Sequence, residues 1–498
     1  MNDLHLFAIY PQITLGLGAL LVLGEGLVFG KNRHGLFLIT TLVAATFSLA
    51  FTILSWKTTA NAFAGAVILD PTVSALLAIV SVCTLLGALC SPAYANRHGF
   101  EPANYYTLLL FSACGMAFLV SSNDLAMAFV SLETLSVCVY ALTGYRTRQD
   151  ASTEGAVKYF LLGAFATGFL LYGISFLYGA TGSTNFSEIA TRFAAGNMGP
   201  ESKFAVIGVG LLLVGLSFKV GAVPFHMWVP DVYQGAPTPI TAFMSVAVKA
   251  SAFGFLVRLL PHTLMGLSDS WVPILSALAL LTMIGGNLLA LAQRNLKRLL
   301  AYSSVAHAGY LLLGVASASK LPDQADAAIL YYLLVYSFMN VGAFAVLLTL
   351  NSPARERNNL SDLAGLSESH PLLAALLSLF MLALAGIPPT GGFTAKFYLF
   401  GAALRAGYTT LAVLGILSSV IGAFYYLRVV VALYMESPTR PVSNDPAASA
   451  MAPRGLALAF AVLLCAVLSV ELGLQSLPGL GIFPSYLEGL TDFLVATR

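Results

Sequence analysis

Fourteen apolar runs follow one another along this chain, and each is separated from the next by a short polar stretch. A helix needs about 20 mostly apolar residues to cross a bilayer, and most of the runs reach this length. The pattern therefore predicts an all-α polytopic membrane protein with about 14 transmembrane helices. We number the predicted crossings 1 to 14 and place them at about 12–30, 36–55, 71–90, 104–121, 124–143, 156–179, 204–225, 238–260, 272–292, 299–318, 327–350, 371–405, 408–435 and 455–475.

Proline interrupts two of the crossings, and their spacing suggests an internal repeat. Pro224 lies in crossing 7, and Pro388 and Pro389 lie in crossing 12. Because these crossings are five apart, they run through the membrane in opposite directions, as the broken helices of two inverted repeats do. We therefore predict a single integral membrane domain over residues 1–498, with crossings 1–3 within 1–100, a first five-helix repeat (crossings 4–8) over 104–260, a second (crossings 9–13) over 272–435, a cytoplasmic linker over 436–454, and helix 14 with a short tail over 455–498.

The composition excludes a water-soluble fold. Of the 498 residues, 58% are hydrophobic and only 9% are charged, whereas soluble domains carry about 25% charged residues. The five cysteines stand alone in apolar segments, so no Cys-x-x-Cys pair is available for zinc or an iron–sulfur cluster. The sequence also has no dinucleotide-binding fingerprint and no Walker motif. We therefore expect the chain itself to bind no metal, cofactor or nucleic acid and to be driven by an ion gradient or a partner.

Lysine and arginine are distributed unequally between the two sets of loops. In alternate loops, twelve lie on one side and seven on the other, when Arg428 and the lysines within crossings are left out. Basic loops tend to stay on the cytoplasmic side of a membrane, so the richer set is predicted to be cytoplasmic and both termini periplasmic. The first crossing has no basic start and no convincing cleavage site, which argues against a removable signal peptide.

Four lysines lie inside apolar stretches that contain few other charges: Lys158, Lys219, Lys249 and Lys396. A charge at the centre of a bilayer costs about 2.5–3.5 kcal/mol on insertion scales, so such residues usually serve ion or proton transport. Lys158 has a second interpretation, because Glu154 lies one helical turn before it and its side chain could reach the interface. The pattern indicates that the chain moves ions.

Lys219 and Lys396 lie on opposite sides of the two helix breaks. Lys219 precedes Pro224, near the electronegative end of a half-helix, which favours an ammonium. Lys396 follows the second break, near the electropositive start of a half-helix, so we expect it to favour the neutral form. The two sites are thus predicted to have opposite preferences for a proton.

Glu133 is the one acidic residue deep in crossing 5. A buried carboxylate needs a partner, and we expect that partner to be Lys219. Satisfaction by Thr134 or Ser136 is the alternative. Lys249, in the middle of crossing 8, has no charged neighbour in the sequence, which predicts a relay lysine that can give up its proton.

Two histidines are weaker candidates for the same route. His307 lies in crossing 10, at a depth where a proton could pass between Lys249 and Lys396. A single histidine in a helix is often only a hydrogen-bonded core residue, and both interpretations stay open. His226, just after the break in crossing 7, is similarly ambiguous.

Three motifs indicate a family resemblance. Residues 224–238 (PFHMWVPDVYQGAPT) resemble the hallmark of the antiporter-like membrane subunits of respiratory complex I, and most of all the subunit N family of bacterial NADH:quinone oxidoreductase. Residues 297–304 (KRLLAYSS) and 386–398 (GIPPTGGFTAKFY) are similar to further motifs of this family. The similarity in pattern extends over nearly the whole chain.

The resemblance implies a proton-translocating subunit in the bacterial inner membrane, with fourteen helices, two inverted repeats and one proton path. Partner subunits of the membrane and peripheral arms would use NADH, FMN, iron–sulfur clusters and quinone. By position, Glu133 would be the charge partner of Lys219, Lys249 the central relay and Lys396 the exit-side lysine. Asn295 departs from the family pattern, because sister subunits commonly carry an acid there.

Three alternatives remain. A subunit of a multi-subunit cation/proton antiporter would share the fold, and so would a subunit of a membrane-bound hydrogenase or a related plastid-type dehydrogenase. A purely structural scaffold is the third, but four buried lysines would be a needless cost for it. Within the family, Lys396 and the short tail argue against the two sister subunits that have an acid in this helix or a long lateral helix.

Overall fold

The computed structural model describes residues 6–30, 33–194, 201–351, 356–437 and 455–475. Most of the predicted linker and the tail after crossing 14 lie outside these ranges. Within them, thirteen helices are long and apolar enough to span a membrane, and the two halves of the broken crossing 12 make a fourteenth crossing. The predicted all-α polytopic membrane fold is confirmed.

Each crossing keeps its number from the sequence. The helices have these bounds: crossing 1, Tyr10–Phe29; crossing 2, His34–Leu54; crossing 3, Pro71–His98; crossing 4, Pro102–Ser121; crossing 5, Leu125–Thr143; crossing 6, Asp150–Thr181; crossing 7, Glu201–Val220, followed by the short helix Val229–Gly235; crossing 8, Thr238–Val257, continued by a π-helical turn at Arg258–Thr263; crossing 9, Ser268–Leu291; crossing 10, Leu296–Ala318; crossing 11, Pro322–Leu350; crossing 12, Pro371–Ala385 and Gly391–Arg405; crossing 13, Thr409–Met435; and crossing 14, Leu456–Leu474.

Many helix starts follow from the local sequence. Asp70 caps crossing 3 by accepting a hydrogen bond from the backbone N–H of Val73 at 2.7 Å, and Asp124 caps crossing 5 by accepting one from Ala126 at 2.8 Å. Proline occupies the first turn of crossings 1, 3, 4, 8, 11 and 12. The N–H groups of the first turn have no acceptor within the helix, so a proline there removes no hydrogen bond and fixes the start of the helix without weakening it.

Crossings 8, 10 and 11 form the centre of the bundle. All 20 residues of crossing 8 are buried, and crossings 10 and 11 are buried over most of their length. The outer crossings expose large apolar side chains such as Leu27, Phe165 and Leu456. Such surfaces suit contact with lipid, so the polar residues of the three central helices lie far from it.

The breaks in crossings 7 and 12 have the same local structure. A glycine ends the first half-helix in each: Gly221 has φ +74° and Gly386 has φ +84°, the left-handed region that favours glycine. The next residue donates to the carbonyl five residues back, at 2.8 and 3.1 Å, which is the Schellman arrangement. Pro224 and Pro389 each follow three residues after the glycine, and each is preceded by a cis peptide bond.

The starts of crossings 5 and 10 share a second matched pattern. Asp124, the cap of crossing 5, forms a β-bridge with Asn185 after crossing 6, and Asn295, the cap of crossing 10, forms one with Asn359 after crossing 11. Two flanking backbone hydrogen bonds close each bridge, at 2.9 and 2.9 Å in the first and at 2.6 and 2.9 Å in the second. Because an odd number of crossings separates the two starts, the pattern occurs once on each side of the membrane.

Three features of the fold were not predicted. A two-stranded antiparallel hairpin, with β1 at Ala60–Ala62 and β2 at Val67–Leu69, connects crossings 2 and 3. The short helix Phe186–Ala194 lies in the connection between crossings 6 and 7. The helix of crossing 7 also ends at Val220 rather than at 225, because Gly221 leaves the helical conformation before the proline is reached.

Candidate functional site

Three of the interior lysines and His307 lie in the centre of the bundle. The exposed fractions are 5% for Lys219, 5% for Lys249, 2% for His307 and 8% for Lys396. They belong to crossings 7, 8, 10 and 12, which contact one another in that order. We call these four residues the interior row. Since lipid offers no hydrogen-bond acceptors, each ammonium must find its acceptors within the protein.

Glu133 does not contact Lys219 directly. Its half-buried carboxylate accepts a hydrogen bond from the hydroxyl of Thr167 in crossing 6 at 2.9 Å. Lys219 donates to Ser136 of crossing 5 at 2.6 Å, about one helical turn from Glu133. The direct ion pair that we predicted is absent from the part of the chain that the structure describes, and Thr134 donates to a backbone carbonyl instead of to Glu133.

Two small cavities flank the side chain of Lys219. One, of about 10 Å³, is lined by Lys219 and by Thr167, whose hydroxyl binds Glu133. The other, also of about 10 Å³, is lined by Lys219, Lys249 and Ser304. A volume of this size is close to what one water molecule requires. A single water in each cavity would link Lys219 to the polar groups on both sides of it.

Lys249 binds crossing 10 through Ser304. Its ammonium donates to the carbonyl oxygen of Ser304 and, at 2.5 Å, to the hydroxyl oxygen of the same residue. The nitrogen also lies 5.2 Å from the centre of the Tyr336 ring, within the range of a cation–π contact. No acidic side chain forms an ion pair with Lys249 in the described ranges, so hydroxyl, carbonyl and ring groups alone stabilise its charge.

Both ring nitrogens of His307 have tyrosine partners. Nδ1 lies 2.7 Å from the hydroxyl of Tyr332, and Nε2 lies 3.1 Å from that of Tyr426, which also bonds to Ser303. A neutral imidazole has one N–H and one lone pair, so one tyrosine accepts a hydrogen bond from the ring and the other donates one. This geometry suits a core histidine and a proton relay equally, and both interpretations of His307 stay open.

Lys396 corrects one of our predictions. Its backbone lies near the start of the second half-helix of crossing 12, but helical side chains point back towards the N-terminus, and this one reaches across the break. The ammonium donates to the carbonyls of Leu384 at 3.0 Å and Ala385 at 2.8 Å, and to the hydroxyl of Ser419 at 2.9 Å. These carbonyls form the electronegative end of the first half-helix. The prediction that the helix dipole favours a neutral Lys396 is therefore wrong.

Lys158 lies outside the interior row, in an ion network. Its side chain is 42% exposed and binds Glu154 at 2.6 Å and Asp231 at 2.8 Å, and Asp231 also binds Arg298 at 2.7 Å. Partial burial acts to raise the pKa of Asp231, but the hydrogen bonds from Lys158 and Arg298 outweigh it and hold the pKa below its usual value. The carboxylate therefore stays charged at neutral pH and joins crossing 6 to crossing 10.

His226 is not joined to the interior row. It is half-buried beyond the break in crossing 7, and its Nδ1 has no hydrogen-bond partner among the described residues. Its ring centre lies 6.2 Å from that of Tyr302 in crossing 10. The structure brings together three of the four lysines and one of the two histidines that the sequence singled out.

Sequence reasoning missed a group of uncharged polar residues and one lysine. Asn287 of crossing 9 is buried and bonds to the hydroxyls of Tyr310, Ser418 and Tyr425. No charge marks these residues, and single amides and tyrosines are unremarkable in a membrane helix. Lys297 is fully buried, and its ammonium donates to two backbone carbonyls in the loop after crossing 7, at 3.0 and 2.8 Å. Its position at a helix start gives no sign of this burial, because basic residues at helix ends usually face the membrane interface.

Comparisons with known proteins extend these observations. The family described as "NADH:quinone oxidoreductase/Mrp antiporter, TM" matches residues 122–422. A protein of Herpetosiphon aurantiacus named NADH-quinone oxidoreductase subunit N 1 is 40% identical over 100% of this chain and 99% of its own length. One of Chloroflexus aggregans named NADH-quinone oxidoreductase subunit N is 44% identical over 77% of this chain and 78% of its own. A chain of respiratory complex I from Thermus thermophilus with bound aureothin superimposes with a TM-score of 0.75 and 35% identity, covering 95% of this chain and 99% of that one.

Proposed function

This chain belongs to the NADH-quinone oxidoreductase subunit N family, and from that membership we propose that it is a proton-translocating membrane-arm subunit of an NADH:quinone oxidoreductase. Partner subunits of the membrane and peripheral arms oxidise NADH, reduce quinone and hold the FMN and iron–sulfur clusters. This chain contributes the proton path and no redox centre.

The interior row carries this proposal. Lys219, Lys249, His307 and Lys396 are buried at the centre of a membrane bundle, where ionisable side chains are costly and usually mark a proton or ion route. Each has polar partners from a different helix. Each of the two small cavities beside Lys219 has room for one water, which would bridge Lys219 to Thr167 in one case and to Lys249 in the other.

The proposed path runs along the row from Glu133 towards Lys396. Quinone reduction in a partner subunit changes the electric field at Glu133 and Lys219, and a proton leaves Lys219 for Lys249 across the cavity that both residues line. From Lys249 it passes His307 to Lys396 and leaves the membrane. Glu133 acts on Lys219 through Thr167 and the cavity that Thr167 and Lys219 both line, rather than through a direct ion pair.

We further propose that crossings 4–8 and 9–13 are two inverted repeats. The matched glycine–proline breaks and the matched bridges at Asp124 and Asn295 support this arrangement. The chain is a multi-pass membrane protein, which we assign to the bacterial inner membrane. The excess of basic residues in one set of loops supports periplasmic termini.

Replacing Lys219 by Ala tests the proposal. The complex should assemble, but proton pumping and the rate of quinone reduction should fall by about tenfold or more, because a positioned proton-transfer group contributes about 10²–10⁴-fold to its step. Both rates are measured on the purified complex in proteoliposomes. Lys57→Ala, at an exposed lysine between crossings 2 and 3, is the matched control and should behave as the native complex. Native pumping in Lys219→Ala would refute the proposal.

Purification separates this proposal from the antiporter alternative, which the family description also covers. A gently solubilised complex should contain flavin and iron–sulfur subunits together with this chain. Recovery with antiporter subunits alone, without redox partners, would favour the cation/proton antiporter instead.

A further inference from the structure

A buried amide lies beside the last step of the proposed path, between His307 and Lys396. Asn287 of crossing 9 is 1% exposed. Its Nδ2 carries two hydrogens and lies within hydrogen-bond distance of three acceptors: the backbone carbonyl of Met283 at 3.0 Å and the hydroxyls of Tyr310 and Ser418 at 2.8 Å each. Its Oδ1 accepts a hydrogen bond from the hydroxyl of Tyr425 at 3.0 Å. One amide thus connects crossings 9, 10 and 13.

The neighbours of Asn287 fix the orientation of its amide. The carbonyl of Met283 can only accept a hydrogen bond, so the NH₂ group must face it and Oδ1 must face Tyr425. The hydroxyl of Tyr425 therefore donates to Asn287, whereas that of Tyr310 faces the NH₂ group and cannot donate to it. The proton of Tyr310 is left to point away from the amide.

Asn287 separates two groups of polar residues. On one side, the ring of Tyr425 lies 4.4 Å from that of Tyr426, whose hydroxyl bonds to Nε2 of His307. On the other side, the ring of Tyr310 lies 5.6 Å from the Lys396 nitrogen. The rings of His307 and Tyr310 also meet edge-on at 5.6 Å, but both nitrogens of His307 bond to other tyrosines, so the hydrogen bonds described between the two groups run through the amide.

An amide cannot pass on a proton as a hydroxyl or a carboxyl can. A hydroxyl accepts a proton on one lone pair and releases its own, and a carboxyl accepts on one oxygen and releases from the other. Under physiological conditions an amide oxygen is not basic enough to be protonated, and an amide N–H is not acidic enough to leave. Hydrogen bonds therefore run through Asn287, but a proton cannot.

We propose that Asn287 is a proton insulator: it holds Tyr310 and Tyr425 in place while preventing their hydroxyls from forming a continuous conductor between His307 and Lys396. The inference rests on the proposed proton path. It implies that transfer between these two residues requires a rearrangement of groups or water, which the redox cycle can control. A group able to relay a proton at this position would join the hydroxyls on both sides into a permanent leak.

The surrounding helices leave room for this amide. A Cβ atom at Gly422 of crossing 13 would lie 2.8 Å from Oδ1 of Asn287 and 3.5 Å from the hydroxyl of Tyr425. Alanine there would push against the amide oxygen. Gly422 is therefore a positioning residue for the insulator, together with Ser418 on the same helix.

Asn287→Asp is the decisive variant, because a carboxyl has nearly the shape of the amide but can relay a proton. In the complete complex, reconstituted into proteoliposomes, the variant should keep its NADH:quinone turnover but pump fewer protons per NADH. Passive decay of a pH gradient should be about tenfold faster, since a positioned carboxyl speeds a proton transfer by about 10²–10⁴-fold. Asn287→Leu, which removes the hydrogen bonds without adding a relay, should stay proton-tight.

Two results would overturn the inference: an Asn287→Asp complex that holds a pH gradient as well as the native one, or an Asn287→Leu complex that leaks protons as fast as Asn287→Asp.

If the Asn287→Asp complex fails to assemble, the Tyr425→Phe variant tests the inference instead. Because no proton crosses the amide, that variant should keep the native ratio of protons to NADH, and a large fall in the ratio would contradict the inference. Lys219→Ala is measured in parallel to separate the two proposals. Normal pumping by Lys219→Ala would refute the proton path itself. Impaired pumping by Lys219→Ala, together with no added proton leak in Asn287→Asp, would refute only the insulator.

Discussion

The interior lysines differ in how well their surroundings match an ammonium. Lys396 has three acceptors for its three N–H groups, Lys249 has two on Ser304, and Lys219 has one on Ser136. A buried donor left without an acceptor costs about 1–3 kcal/mol. In this conformation the structure therefore favours a proton at Lys396 most, and Lys219 depends most on water in the adjoining cavities.

Asp231 gives a prediction about stability at the scale of a single residue. Asp231→Asn keeps the shape of the side chain but removes the charge that binds Lys158 and Arg298. Because these groups are about a third exposed, solvent screens the two pairs, and the free energy of unfolding should fall by about 1 kcal/mol. The purified complex should accordingly lose activity at a lower temperature in a thermal inactivation series at neutral pH.

The matched control for Asp231 is Glu154, the other carboxylate on Lys158. The side chain of Glu154 is 63% exposed, and surface ion pairs contribute about 0–1 kcal/mol. Glu154→Gln should therefore leave the inactivation temperature nearly unchanged. Equal shifts for the two variants would show that Asp231 has no special role in joining the helices.

The cost of burying a charge made part of the site predictable. Lys219, Lys249 and Lys396 could be found because a lysine in an apolar run is expensive wherever it points. Their partners could not be found, because Ser136 and Ser304 lie 83 and 55 residues away along the chain and Leu384 lies across the helix break from Lys396. Asn287 gave no signal, since a single amide in an apolar helix carries no charge.

Among the elements, the broken crossing 12 depends on one glycine, Gly386. Gly386 has φ +84°, and a Cβ atom there would lie 2.9 Å from Cδ of Lys396 and 3.2 Å from its nitrogen. This glycine therefore ends a half-helix and also leaves room for the lysine that reaches back across the break. The shape of the element and the position of the ammonium depend on the same residue.

Gly386→Ala should consequently impair both stability and pumping. A non-glycine residue in the left-handed region costs about 1–3 kcal/mol, and the new methyl group would displace Lys396 from its carbonyl acceptors. Thermal inactivation and proton pumping of the purified complex measure the two effects. Gly401→Ala, in the same crossing, is the control: nothing lies within 4 Å of its Cβ position, so neither quantity should fall.

The helices were predictable as elements because each apolar run is long and ends at polar residues, proline or glycine. Their predicted bounds mostly differ from the observed ones by a few residues. The hairpin at 60–69 was missed because its strands have three residues each and no clear alternation. The matched bridges at Asp124 and Asn295 were beyond prediction, since each depends on a loop some sixty residues away.

At the scale of the whole molecule, the orientation in the membrane can be measured. Lys57 and Arg148 are exposed and lie in loops of opposite predicted sides. A membrane-impermeant maleimide should label Lys57→Cys in spheroplasts and Arg148→Cys only in inverted membrane vesicles. The native cysteines in the described ranges are buried or half-buried, so their background should be low. The reverse pattern would place the termini in the cytoplasm.

The size and lining of the cavities beside Lys219 also bear on which ions can pass along the interior row. Each has a volume of about 10 Å³, which leaves no space for a sodium ion with its hydration shell. A bare alkali cation would have to replace its lost water shell with the linings of these cavities, which contain lysine and no carboxylate, whereas a proton moves by exchanging one O–H or N–H bond for another.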